Sequence, residues 1–111
     1  MECKHHKGNG AMVLSVSGRM DAVTARDFEK ESSAWSGEEE KKLVVDLSGV
    51  DYISSAGLRS FLLLGKRVKA AGGTLALSGI QGLVREVFDM SGFAAIFPVY
   101  ATPEQAIEAT Q

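Results

Sequence analysis

The apolar positions change period along the chain, and each change marks an element. Over Ala11–Ser17, Met12, Leu14 and Val16 alternate with Val13, Ser15 and Ser17, the two-residue period of a strand. A weaker strand is expected around Glu2–His6. Lys7-Gly8-Asn9-Gly10 between them reads as a hairpin turn, because Gly and Asn accept positive φ, and Gly18 is expected to end the second strand. From Asp21, a helix N-cap by type, the period becomes helical. Ala22, Ala25, Phe28, Ser32 and Trp35 share one stripe, which predicts a helix over Ala22–Trp35, closed by Ser36-Gly37 and followed by a solvated charged connector, Glu38–Lys42.

Lys42–Leu47 is a short apolar run bounded by charge and turn residues, the pattern of a buried central strand, with Ser48–Ser54 expected as the loop that follows. Ala56–Ala71 predicts a second helix with Leu58, Phe61, Leu62, Gly65 and Val68 on its core face and Arg59, Lys66, Arg67 and Lys69 outward; Gly72-Gly73 stops it. Thr74–Ser78 alternates again. Leu83–Met90 predicts a third helix packed through Leu83, Val87 and Met90, with Met90–Phe93 assigned to core and turn. Ile96–Val99 is a short strand, and Thr102 caps a last helix that has Pro103 in its first turn and runs to about Ala109. The order β-β-α-β-α-β-α-β-α predicts an α/β fold: a mixed, mostly parallel sheet of about five strands with about four helices, in one domain over residues 1–111. Right-handed crossovers put the segments after the parallel strands, Ser48–Ser54 among them, along one sheet edge.

Composition narrows the function. A formal net charge of −2 and a pI near 5.6 argue against nucleic acid or an acidic membrane as the main partner. No apolar run approaches a membrane span, the polar start Met1–Gly10 lacks a signal-peptide core, and the one cysteine, Cys3, forms no internal disulfide; a cytoplasmic protein is the expectation. A monomer is expected, because the pattern identifies no large exposed apolar patch.

Enzyme classes fail for want of parts. The only histidines are His5 and His6, there is no Gly-x-Ser-x-Gly elbow, and Cys3, His5 and His6 are crowded into four positions, better read as a frayed edge strand than as a metal site. No phosphate-binding glycine motif occurs, so no cofactor is expected. Asp46 and Asp51 lack the acidic pair and lysine of a phosphoacceptor aspartate; Asp46 is read as a turn-former that accepts amide hydrogen bonds.

Ile53-Ser54-Ser55-Ala56-Gly57-Leu58-Arg59 is left, where loop becomes helix. Its plain reading is a cap, Ser54 or Ser55, with small residues that allow close packing. A second reading is a phosphorylation switch: a helix N-terminus tolerates a phosphate, the added charge of about −1.5 to −2 changes a docking surface, and Arg59 lies four residues beyond Ser55. The spacing is compatible with both.

Asp46-Leu47-Ser48-Gly49-Val50-Asp51-Tyr52-Ile53-Ser54-Ser55-Ala56-Gly57-Leu58 resembles the signature of STAS domains, most closely the bacterial anti-sigma factor antagonists. Gly18-Arg19-Met20-Asp21 resembles the family's Gly-x-Leu-Asp before the first helix. Ala71-Gly72-Gly73-Thr74-Leu75 resembles its glycine stop, and Val87-Phe88-Asp89-Met90-Ser91-Gly92-Phe93 its Leu-Phe-x-x-Ser-Gly-Leu helix end. The resemblance implies a non-catalytic partner switch. The unphosphorylated antagonist binds an anti-sigma factor, often a serine kinase, and so frees a sigma factor; the kinase rejects it by phosphorylation, and a metal-dependent phosphatase restores it. The acceptor maps onto Ser55, two positions before Gly57, with Ser54 as a minor rival because it stands where the family commonly has Asp. Asp21, Ser54, Ser55, Ala56, Gly57 and Arg59 are the implied partner-binding residues. An alternative is a STAS subunit of another assembly, such as a lipid-transport ABC complex or a stress-signalling scaffold, not controlled by phosphorylation. A third class, a small enzyme or nucleotide-binding protein, lacks a phosphate cradle or a base.

Overall fold

The structure is a computed structural model that describes residues 2–8, 11–35, 42–70, 72–92 and 97–110. Its elements run β1 (Glu2–Gly8), β2 (Ala11–Met20), α1 (Ala22–Trp35), β3 (Lys42–Ile53), α2 (Ser55–Ala70), β4 (Thr74–Ser78), α3 (Gly82–Ser91), β5 (Val99–Tyr100) and α4 (Pro103–Thr110). The strands form one sheet in the order β1-β2-β3-β4-β5. β1 pairs antiparallel with β2, and every later pairing is parallel. This is the element order and the mixed sheet that the sequence predicts.

Strand alternation divides the apolar residues between two layers. Leu14, Val16, Val45, Leu47 and Leu77 face α1, α2 and α3 and build the larger core with Phe28, Phe61, Leu64, Val84 and Phe88. Ala11, Val13, Val44 and Ala76 face the other way, under Ala106 and Ile107 of α4. The central strands are therefore apolar on both faces, as parallel strands covered on both sides must be. Phe61 ties the larger layer together. Its ring meets Phe28 of α1 edge-on at 5.0 Å and lies 6.3 Å from Phe88 of α3.

Several expectations need correction. Gly18 does not end β2. It adopts φ 95°, a left-handed conformation open to glycine, and takes up a register shift between Gly18 and Arg19, so the strand bends and continues to Met20. β3 likewise does not stop at Leu47. Ser48–Ile53 stays paired with β2 (Ser17↔Gly49, Gly18↔Val50, Arg19↔Tyr52, Met20↔Ile53), which leaves Ser54 alone between strand and helix. On α2 the buried residues are Gly57, Leu58, Ser60, Phe61, Leu64 and Val68; Leu62 is only partly buried. On α3 the buried face is Val84 and Phe88, while Leu83 and Met90 are 72% and 87% exposed, so neither belongs to the core. The short fifth strand is Val99–Tyr100 rather than Ile96–Val99.

Helix ends follow the expected chemistry. Gly72, at φ 83°, and Gly73 donate back to the carbonyls of Lys69 and Val68, and Thr102 Oγ1 accepts from the Gln105 amide to start α4. Asn9-Gly10 of the hairpin turn, the connector after Trp35 up to Lys41, Ala71, and Phe93–Ile96 lie outside the described residues.

Truncating Phe61, which is wholly buried, removes the ring shared by α1, α2 and α3. Phe61→Ala is expected to lower unfolding free energy by about 3–5 kcal/mol in urea titration, with the midpoint moving far more than the slope.

Candidate functional site

Parallel pairing of β2, β3 and β4 puts the starts of the three helices that follow them on one edge of the sheet. Asp21–Val23, Ser54–Gly57 and Gln81–Leu83 occupy that edge. The first two are joined directly: the Ser54 amide donates to the Met20 carbonyl at 2.8 Å, so the entry to α2 is fixed against the exit of β2.

Asp21 caps α1. One carboxylate oxygen accepts from the amides of Val23 and Thr24, both at 3.0 Å, and from the Thr24 hydroxyl at 3.2 Å. Thr24 returns the favour by accepting from the Asp21 amide at 2.9 Å, and its one hydroxyl proton is shared between the Asp21 carboxylate and the nearer Arg19 carbonyl at 2.7 Å. The Thr24 amide bond, above all, holds the Asp21 carboxyl below its ordinary range. The Thr24 hydroxyl, the Val23 amide and the charge of Arg19 add to that effect, and desolvation opposes it.

Ser54, not Ser55, is the cap of α2. Its Oγ accepts from the Gly57 amide at 3.2 Å and its carbonyl accepts from the Leu58 amide at 3.0 Å. Ser55 is the first helical residue, and its side chain is exposed and makes no hydrogen bond among the described residues. Ala56 is partly exposed. Gly57 is buried where a β-carbon would sit 2.9 Å from Ile53 Cγ1 and 3.0 Å from the Met20 carbonyl oxygen. The missing side chain lets α2 begin against the strand ends. Arg59 is exposed one turn beyond Ser55, and the first turn of α2 carries no acidic residue. Asp21, Ser54, Ser55, Ala56 and Gly57 thus meet on one edge, with Arg59 next along the helix.

Five further residues at this edge were not singled out from the sequence as site residues. Thr24 completes the α1 cap, and the Asp-x-x-Thr spacing carried that signal. Arg19 and Tyr52 face each other across β2 and β3, with the guanidinium 4.1 Å from the centre of the tyrosine ring; a strand ending at Leu47 would not bring them together. Val23 and Leu83 expose apolar side chains in the first turns of α1 and α3, flanking the start of α2 on the same edge.

Asp46 does form local bonds as expected, accepting from the Ser48 amide and hydroxyl at 3.2 Å, but it also accepts from Ser78 of β4 at 3.4 Å, inside the paired region. Asp51 is exposed near the end of β3. Cys3, His5 and His6 lie on the edge strand β1; among the described residues no group of three or more His, Cys, Asp or Glu side chains could hold a metal ion. Nor is any described helix long and apolar enough to cross a membrane.

Comparison with known proteins agrees with this geometry. The STAS domain profile matches residues 1–106. The chain belongs to the STAS domain family. It is 38% identical over 98% of its length to BtrV of Bordetella bronchiseptica, a candidate anti-sigma factor antagonist, 94% of which is covered. An anti-sigma factor antagonist from Mycobacterium paratuberculosis superposes with a TM-score of 0.89 at 28% identity, covering 98% of this chain and 92% of that one. SpoIIAA of Bacillus in its phosphorylated form shares the fold, with a TM-score of 0.74 at 18% identity over 99% of this chain and 100% of the other.

Two consequences can be measured. In Gly57→Ala, the helix-propensity gain of about 1 kcal/mol is smaller than the ~1–3 kcal/mol typical of overpacking against Ile53 and Met20. Net destabilisation is expected in denaturant titration. For Asp21, the folded carboxyl is depressed below its ordinary 3.8, so its charged cap contributes stability above that value and loses it as pH falls through the lower folded value. Asp21→Asn keeps a neutral cap. The stability difference between wild type and Asp21→Asn should therefore be largest near neutral pH and shrink on acidification below about 4.

Proposed function

We propose that this STAS chain is an anti-sigma factor antagonist, a one-domain cytoplasmic protein over residues 1–111, switched by phosphorylation of Ser55. Unphosphorylated, it binds an anti-sigma factor that is itself a serine kinase, and the sigma factor held by that partner is released. The observation that carries the reading is the division of labour at the start of α2. Ser54 spends its hydroxyl on the cap, and the neighbouring Ser55 presents an exposed hydroxyl with no hydrogen bond among the described residues, on the same sheet edge as the start of α1. The names of BtrV and of the mycobacterial antagonist support the partner class.

The chain supplies the acceptor, and the partner supplies the chemistry. Ser55 Oγ attacks the γ-phosphorus of ATP held by the kinase. The Oγ–P bond forms as the bond to the bridging oxygen breaks, ADP leaves, and the hydroxyl proton passes to a base of the kinase. A metal-dependent serine phosphatase reverses the switch, with water taking the phosphoryl group as inorganic phosphate. The modified residue stands outside the capping hydrogen bonds, so the fold survives while the docking edge becomes negative. Asp21, Ser54, Ala56, Gly57 and Arg59 form the rest of the contact edge.

The proposal fixes the behaviour of the variants. Ser55→Ala should bind the anti-sigma factor like wild type and resist ATP-dependent release. Ser55→Asp should bind on the order of 10²–10⁴-fold more weakly, the scale of the ~3–5 kcal/mol lost when a charge is buried without a partner. Ser54→Ala should stay switchable, with a small loss of stability from the cap. Affinity capture from host lysate, then titration calorimetry against the kinase-like protein recovered, tests all three. Equal affinity of wild type, Ser55→Ala and Ser55→Asp for that protein would remove Ser55 as the control point.

A further inference from the structure

The start of α2 holds an acceptor and a cation in register. Ser55 is its first residue, so Arg59 lies one turn on, where side chains at i and i+4 meet on the helix surface. Arg59 is exposed and makes no ion pair among the described residues. The other charged groups of this edge are engaged elsewhere: Arg19 stacks on Tyr52, and the Asp21 carboxylate is turned into the α1 cap. No acidic residue in the first turn of α2 competes for the guanidinium.

We infer that a phosphate on Ser55 captures Arg59, so that one modification both adds negative charge and withdraws a cation from the docking edge. The inference rests on Ser55 as the acceptor and adds how the modified state is held. A serine phosphate offers three strong acceptor oxygens and about −1.5 to −2 charges, and a guanidinium one turn away donates to it as a fork. In the free state Arg59 remains available to an acidic group of the partner. After phosphorylation it is neutralised within its own chain.

The test uses full-length chain with phosphoserine installed at codon 55 during translation, so it does not depend on any kinase. The second ionisation of the phosphoserine is followed by ³¹P NMR in wild type, Arg59→Gln and Arg67→Gln. Arg67 is exposed two turns beyond Arg59 and controls for net charge. An Arg59 contact stabilises the dianion. Its ionisation, ordinarily near pH 6, should therefore lie about 0.2–0.4 unit lower in wild type than in Arg59→Gln, with Arg67→Gln matching wild type. Arg59→Gln indistinguishable from wild type, or from Arg67→Gln, would overturn the inference. A cellular phosphate found elsewhere than on Ser55 would instead defeat the functional reading and leave this comparison intact.

Discussion

The pairing of β2 with β3 runs from Met12↔Leu43 to Met20↔Ile53 and survives two register shifts on the way. The candidate site depends on that persistence. Had the strands parted at Leu47, the Ser54 amide would have no Met20 carbonyl to meet, and the caps of α1 and α2 would sit on independent loops. Paired to their ends, the two strands deliver two helix starts side by side. The 2.8 Å bond from Ser54 to Met20 locks them there, and Gly57 allows the approach because any β-carbon would press on Ile53 and Met20.

Packing behind the edge makes it a platform. Phe28, Phe61 and Phe88 join α1, α2 and α3 over the sheet, and Ser60, buried between helices, donates to Glu29 at 2.9 Å. The site is thus carried on the ends of packed elements, and its exposed groups can change charge without disturbing the core. Such an arrangement suits a protein whose partner, not whose fold, responds to a modification. Val23 and Leu83 add exposed apolar surface on both sides of the start of α2.

Much of this was legible in the residues. Asp21 with a helical stripe after it located α1, the alternation of Thr74–Ser78 located β4, and Gly72-Gly73 marked the stop of α2. The extent of β3 was not legible. Ser48-Gly49 looks like loop composition, and only the continuation of β2 through the positive-φ Gly18 keeps those residues paired. On α3, Val87 does pack against the core, but Leu83 and Met90 do not; they share the helical spacing of the buried Val84 and Phe88. Local periodicity cannot choose between the two stripes; the position of Phe61 does. At the site, the run Ser54-Ser55-Ala56-Gly57 announced a helix start, but which serine caps and which stays free depends on backbone geometry that the letters do not contain.

The central claim is that Ser55 is the switched residue. It is tested most directly by incubating the full chain with ATP and its own anti-sigma kinase and mapping the phosphate by fragment-ion mass spectrometry. A single phosphate is expected, on Ser55, with Ser54 unmodified. A phosphate on Ser54 or any other residue, or no transfer by a kinase that binds the chain, would contradict it.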